Sequence, residues 1–245
     1  MNKKTLDEIF AHAIEEYPRE CCGLVIAIGR KEKYIRCRND SEKADGHFIM
    51  NTDDQVAAAM KGDIKMIVHS HPDESEKPSP ADMVQCEAHG LPWCIVAVHG
   101  DPATPGAAPV ARGHTILTPS GFELPLRGRD YKFGVSDCYS IVQDFYAREM
   151  QIDLPDFDRE DKFWERGQNL IMDHLFENGF TPISKPSQKG DLILMSIKSD
   201  IVNHLGVWLG ERDAMLHHPY GHLSEKTVYG GYWLENMRLY ARKTQ

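Results

Sequence analysis

Leu6, Ile9, Phe10, Ala13, Ile14 and Tyr17 recur at the three- and four-residue spacing of a helix, with charged side chains between them. This spacing predicts an amphipathic helix over residues 5–17, stopped by Pro18. From Gly23 the pattern turns to strand, first through Leu24, Val25, Ile26 and Ile28, then through Tyr34, Ile35 and Cys37. Residues 53–61 read as helix and 64–69 as a short buried strand ending at a histidine; 81–89 read as helix and 93–98 as a second buried strand. Strands alternating with helices predict an α/β first half, a mixed sheet with helices against it.

The pattern then breaks. Residues 101–106 and 118–128 are rich in Pro, Gly and small side chains, which places a linker over 118–130 between a domain at 1–117 and a second at 131–245. The second half opens on a strong helical pattern from Cys138 to about Met150, through Ile141, Val142, Phe145 and Tyr146. An acidic stretch over 153–162 reads as an exposed loop, followed by a helix from Trp164 to about Asn178. Strands are expected at 191–196, 205–209 and 214–217, with a last one near Tyr232. A helix followed by short strands is an α+β arrangement.

Composition narrows the function classes. With 41% hydrophobic and 27% charged residues the chain is ordinary for a globular protein, and no apolar run approaches the roughly 20 residues that span a bilayer. Lys3 and Lys4 are followed by an amphipathic helix and not by an apolar core, so no secretory signal is expected. A net charge of −9 without a basic stripe argues against a nucleic-acid partner. The six cysteines have no C-x-x-C spacing; they read as reduced thiols, and Cys21, Cys22, Cys37, Cys86 and Cys94 as small buried hydrophobes.

Two constellations carry chemistry. In the first, His69 and His71 are two residues apart, so on a strand they share a face. Asp82 follows at the start of the next helix and can add a carboxylate oxygen. Two imidazoles and one carboxylate leave the fourth tetrahedral position of a zinc ion open for water, whose pKa the metal lowers to roughly 7. Glu20 is the candidate base, and Ser79 can donate to a developing oxyanion. This set, Glu20, then His69-Ser70-His71, ten residues, and Asp82, with Pro72 and Pro78-Ser79 between, resembles the JAMM (MPN-type) metalloproteases over about residues 1–115. The resemblance implies Zn2+ held by His69, His71 and Asp82, with Glu20 as base and Ser79 assisting.

In the second, Cys138 stands where loop becomes helix, a position that favours a thiolate. His204 begins an apolar strand, and His217 returns on the next, so nucleophile, base and orienting group are all available. Asp137-Cys138, Gly190-Asp191-Leu192-Ile193, His204-Leu205-Gly206-Val207-Trp208-Leu209-Gly210 and Met215-Leu216-His217 resemble the segments of the NlpC/p60 cysteine peptidases over about residues 128–245. The resemblance implies a papain-like α+β fold that cleaves the D-glutamyl–diamino acid bond of peptidoglycan stem peptides through Cys138, His204 and His217. It also implies substrate contacts from Tyr131, within Tyr131-Lys132-Phe133-Gly134, and from Asp137. Tyr139-Ser140 stands where the family has Ser-Gly, and His218 directly follows His217.

The two domains in this order, with Leu126-Arg127-Gly128-Arg129 between them, resemble the tail assembly protein K family of lambda-like tailed phages. That resemblance implies action in tail-tip assembly, with phage tail-tip proteins and peptidoglycan stem peptides as partners. It places the chain in the host cytoplasm during assembly or at the virion tail tip. A structural tail-tip component with vestigial sites, and an isopeptidase acting on a ubiquitin-like or sulfur-carrier protein, are the competing readings. Trp93 and Trp208 are expected to be core; Trp164 and Trp233 could line a substrate groove, with core packing the favoured reading. His12, His47, His89, His99, His114, His174 and His222 lack partners at metal spacing.

Overall fold

A computed structural model describes residues 1–41, 44–101, 103–104 and 107–244. The chain forms two compact units, Met1–Glu123 and Leu124–Gln245. Part of the Pro- and Gly-rich break, at 102, 105 and 106, lies outside the described residues.

The first unit contains α1 (Lys3–Glu16), β1 (Cys22–Ile28), β2 (Lys31–Cys37), α2 (Thr52–Ala59), β3 (Asp63–Pro72), α3 (Pro80–His89), β4 (Trp93–His99) and β5 (Val110–Leu117). Its sheet runs β2-β1-β3-β4-β5. Only β3 and β4 are parallel, joined through α3; the other neighbours are antiparallel. The mixed sheet expected from alternating strands and helices is therefore present.

Alternation along the strands divides the core between two faces. Ile9 and Ala13 of α1 pack with Val25, Tyr34, Val68, Val96 and Val98 on one face. Ala58 and Cys86 pack with Cys22, Leu24, Ile26, Ile67 and Trp93 on the other. Gly23 has no alternative at its position, because a Cβ there would stand 2.5 Å from the Tyr34 hydroxyl and 2.6 Å from the Ile35 carbonyl oxygen. β3 runs through both His69 and His71, as a shared strand face requires, and β5 adds an edge strand that the sequence pattern does not predict. Only alternate residues of β5 are partly covered, so its hydrophobic signal is weak.

The second unit contains α4 (Cys138–Phe145), α5 (Leu170–Glu177), β6 (Phe180–Ile183), β7 (Leu192–Met195), β8 (His204–Trp208), β9 (Ala214–His217), β10 (Glu225–Val228), α6 (Tyr232–Glu235) and β11 (Met237–Lys243). Its sheet, β10-β9-β8-β7-β11-β6, is antiparallel throughout. Ile141, Val142 and Phe145 of α4 pack on Leu192, Leu194, Leu205, Val207 and Leu216. Ile193, Met195 and Met215 face the other way, toward Trp208, Tyr229 and Trp233.

Several elements differ from expectation. The helix begun at Cys138 ends as a π-helical turn over Tyr146–Met150. The helix expected from Trp164 is broken by Gly167, at φ 75°, into a 3-10 turn and α5. Near Tyr232 the chain is the short helix α6, and the last strand follows it. No helix among the described residues is long and apolar enough to cross a membrane.

Candidate active sites

In the first unit, residues 67, 69 and 71 of β3 point to the α2/α3 face. His69 lies against Phe48 and Trp93, with ring centroids 5.0 and 5.3 Å away. The opposite-facing Ser70 accepts the Cys21 amide at 2.8 Å, which helps fix β1 to β3. Asp82 arrives by helix capping. Ser79 is the N-cap of α3 and accepts the Asp82 amide, while the Asp82 carboxylate accepts the Ser79 amide at 2.7 Å; Pro80 and the left-handed Gly90 bound the helix. The capping box therefore aims Asp82 back at β3.

The His69 and His71 Nε2 atoms are 3.0 Å apart. Asp82 places one oxygen 3.3 Å from His69 Nε2 and the other 3.4 Å from His71 Nε2. All three residues are buried, and their ligand atoms lie within 4.8 Å of one another. His71 Nδ1 is 2.8 Å from the Ser75 carbonyl oxygen. That acceptor puts the ring proton on Nδ1 and leaves the Nε2 lone pair facing the cluster. Lone pairs of two imidazoles and a carboxylate converging on one point require a cation, either protons on the rings or a metal ion. Donors on tetrahedral zinc at about 2.0–2.2 Å stand about 3.3–3.5 Å apart, so the cluster fits such an ion.

The electrostatics agree. Burial raises the Asp82 carboxyl, but the two imidazoles outweigh it and hold it far below the usual carboxylate range. Burial lowers His71, yet Asp82, the Ser75 carbonyl and Glu20 carry it above its ordinary value. Glu20 is buried. Cys22 pairs with His69 in the register of β1 and β3, so Glu20, two residues before Cys22, stands opposite His71. Ser79 is half-buried at the helix end. The structure thus groups His69, His71 and Asp82, with Ser79 capping the helix that carries Asp82 and Glu20 acting on His71 through its charge.

In the second unit, Cys138 is the first residue of α4, and its sulfur is 4.0 Å from the Asn203 carbonyl oxygen. The Leu205 amide also faces the thiol, so the sulfur sits against the peptides on both sides of His204. Gly206 pairs directly with His217, and its missing side chain lets His204 reach His217 diagonally. His204 Nε2 and His217 Nδ1 are 2.9 Å apart. Of the two adjacent histidines, His217 is the partner of His204. His218 points to the opposite face, edge-on to Tyr131 with centroids 5.1 Å apart. Tyr131 is close enough to Cys138 and Asp137 for both to push its hydroxyl upward, behind the larger effect of burial.

Two expectations need correction. The helix start does not leave Cys138 ionised: burial, then Asp137, push the thiol up to about 12, against the weaker help of the Leu205 amide. Asp137 has no room for a substrate. It is 1% exposed and accepts the amides of Gly134, Tyr139 and Ser140 at 2.8, 2.9 and 2.9 Å. Arg159 Nε also donates to it at 2.9 Å. Asp137 caps and anchors the helix that carries Cys138.

Two residues escaped the sequence reading, and a third, Trp233, stands by the histidines where core packing was the favoured reading. Arg159 lies in the acidic stretch read as exposed, yet its side chain is 3% exposed. Trp233, expected in the core, stands 4.4 Å from His217 and 5.7 Å from His204 by ring centroids. Glu225, on β10 opposite His217, places Oε1 3.3 Å from His217 Nε2. A one-residue charge signal inside a polar segment could not have marked Arg159 or Glu225.

Residues 2–109 match the family model of prokaryotic homologs of the JAB domain, and residues 128–242 match that of the NlpC/P60 family. The class is thus a two-domain chain built from two peptidase families, a JAB domain followed by an NlpC/P60 domain. Tail tip assembly protein K of Escherichia phage N15 is 41% identical over 238 residues, covering 96% of this chain and 92% of that protein. Tail tip assembly protein K of Escherichia phage lambda is 33% identical over 189 residues, covering 75% and 84%. The chain belongs to the tail tip assembly protein K family.

Proposed function

We propose that this protein is a two-site hydrolase of phage tail-tip assembly, whose NlpC/P60 domain cleaves peptidoglycan stem peptides at the D-glutamyl–diamino acid bond. The observation that carries this reading is the 2.9 Å His204–His217 bond beside a cysteine at a helix start. Cys138 is the nucleophile, His204 the base and His217 the group that orients the base. Burial, with His217 and His218, holds His204 well below its ordinary value. Burial and then His218 bring His217 to about 4. The resting pair is then a neutral thiol beside a neutral imidazole. The thiol proton moves to His204 as sulfur attacks the carbonyl carbon, and His204 returns it to the leaving amine. Tyr131, whose hydroxyl feels the charge of Cys138, donates to the carbonyl oxygen in this reading.

The JAB domain is a zinc-dependent peptidase or isopeptidase in this reading, with a tail protein as the substrate it processes. His69, His71 and Asp82 would hold Zn2+, which when bound lowers the pKa of water and polarises a carbonyl. Glu20, whose charge acts on His71, takes the proton, and Ser79, the cap that aims Asp82, steadies an oxyanion through its hydroxyl hydrogen. Tail-tip proteins are the partners, in the host cytoplasm during assembly and at the virion tail tip.

The test is incubation of the intact protein with diaminopimelate-type peptidoglycan and identification of released fragments by mass spectrometry. Cleavage between D-glutamate and the diamino acid should need Cys138 and survive His69→Ala. No cleavage by folded protein, together with co-purification on tail proteins, would favour a structural tail-tip component instead.

A further inference from the structure

Glu225 belongs to β10, where it pairs directly across from His217. Its Oε1 is 3.3 Å from His217 Nε2, and His217 Nδ1 is in turn 2.9 Å from His204 Nε2. The three side chains form one chain of hydrogen bonds, and the nature of its last member fixes the protons on the other two. A carboxylate only accepts, so His217 must carry its ring proton on Nε2. His217 Nδ1 is then a lone pair, and it can be satisfied only if His204 donates from Nε2. That leaves His204 Nδ1 without a proton, which is the tautomer a general base requires. His217 alone could not impose this, because an imidazole with no fixed partner can hold its proton on either nitrogen.

We propose that Glu225 is a positioning residue that extends the Cys138–His204–His217 set to four members and selects the tautomer of both histidines. The proposal rests on the cysteine-peptidase reading for the identity of the reaction, but not for the tautomers. The location suits the role. His204 and His217 are buried, with the Trp233 ring against both. The Glu225 side chain is 52% exposed. It opens on a cleft of about 380 Å³ lined also by Pro219, His222, Leu223 and Trp233. The carboxylate is therefore in contact with water while its hydrogen bond reaches the buried pair. It also offsets the imidazolium that forms when His204 takes the thiol proton, as an orienting carboxylate does in other triads. Partial exposure weakens that electrostatic help, so the effect of removing it should be moderate.

The experiment uses the full chain and compares wild type with Glu225→Ala and Glu225→Gln. Three readouts are taken: the histidine tautomers by long-range proton–nitrogen NMR, the pH profile of Cys138 alkylation by iodoacetamide mapped by mass spectrometry, and kcat and KM on a γ-D-glutamyl–diaminopimelate peptide. Wild type should show His217 protonated on Nε2 and His204 on Nε2. Glu225→Ala should give mixed tautomers, slow alkylation at neutral pH about tenfold and lower kcat with KM unchanged. Glu225→Gln keeps an acceptor without charge and should fall between the two. Wild-type tautomers and alkylation in Glu225→Ala would overturn the proposal. If wild type leaves the peptide intact, the assigned substrate fails, while the NMR and alkylation results still decide the role of Glu225.

Discussion

Arg159→Met tests whether the buried pair with Asp137 holds the start of α4. Arg159 donates to both Asp137 oxygens, at 2.9 and 3.1 Å, and to Asp156 at 2.7 Å. Its guanidinium also lies 5.2 Å from the Tyr139 ring centroid and 4.9 Å from that of Phe157. Methionine fills most of the volume and removes the charge. Asp137 is then a buried anion without a countercharge, held by the amides of Gly134, Tyr139 and Ser140 and by the Ser140 hydroxyl. Removing one partner of such a pair costs about 3–5 kcal/mol. For a unit of this size, 1 kcal/mol is worth roughly 3–6 °C, so the second unit should melt about 10–30 °C lower.

Tryptophan fluorescence reads this, because Trp164, Trp208 and Trp233 lie in the second unit and only Trp93 in the first. The decisive comparison is Asp137→Asn added to Arg159→Met. Asparagine still caps the helix through its carbonyl oxygen, and the stranded charge is gone. The double variant should therefore recover about 1–2 kcal/mol over Arg159→Met alone. A drop under about 3 °C for Arg159→Met, or strictly additive effects, would refute the reasoning.

Three further outcomes follow from the same geometry. His69→Ala and Asp82→Ala should each lose bound metal measured by inductively coupled plasma mass spectrometry, whereas Ser79→Ala should weaken α3 by about 1 kcal/mol and keep the metal. Gly23→Ala forces a Cβ against the Tyr34 hydroxyl and the Ile35 carbonyl, and should destabilise the first unit by about 2–3 kcal/mol, seen in Trp93 fluorescence. His217 has its folded pKa lowered from 6.5 to about 4 by burial, then His218; the unfolded chain binds the extra proton, so stability of the second unit should fall as pH drops from 6.5 toward 4. The share of His217 in that loss is on the order of 3 kcal/mol by denaturant titration, and His217→Asn should remove that share while His204 and His218, also lowered, keep theirs.

How much of this was legible depended on how local the cause was. His69, His71 and Asp82 could be placed together because two periodicities suffice: two residues per turn of pleat on β3, and a capping box that fixes Asp82 at the third position of α3. The partnership of His204 with His217 needed only two adjacent strands and the glycine between. Arg159 and Glu225 were hidden for the opposite reason. Each is a single charge in a polar segment, and its meaning comes from a partner far away in sequence, Asp137 in one case and His217 in the other. The short strands β6, β10 and β11 were missed likewise, because their residues are polar or half-covered and their pairing partners supply the stability. Gly167 was overlooked as the break between the 3-10 turn and α5, since a lone glycine inside a helical pattern is usually tolerated.

The chain carries two histidine pairs at near-identical separation, 3.0 Å in the first unit and 2.9 Å in the second, and their surroundings separate the chemistry. In the first pair both Nε2 atoms point at one place, with a carboxylate oxygen beside each, and the Ser75 carbonyl holds the far nitrogen of His71. Donor lone pairs that meet at a point favour a cation there and are frustrated without one. In the second pair Nε2 faces Nδ1, and the next nitrogen faces Glu225. Each contact has a proton on one side and a lone pair on the other, so the bonds run head to tail and no cation is called for. The first arrangement gathers ligands, while the second links a carboxylate through two rings to His204, whose flanking peptides face the Cys138 thiol. The decisive feature is thus where the carboxylate stands: Asp82 between the two imidazoles of its pair, Glu225 at the end of its own.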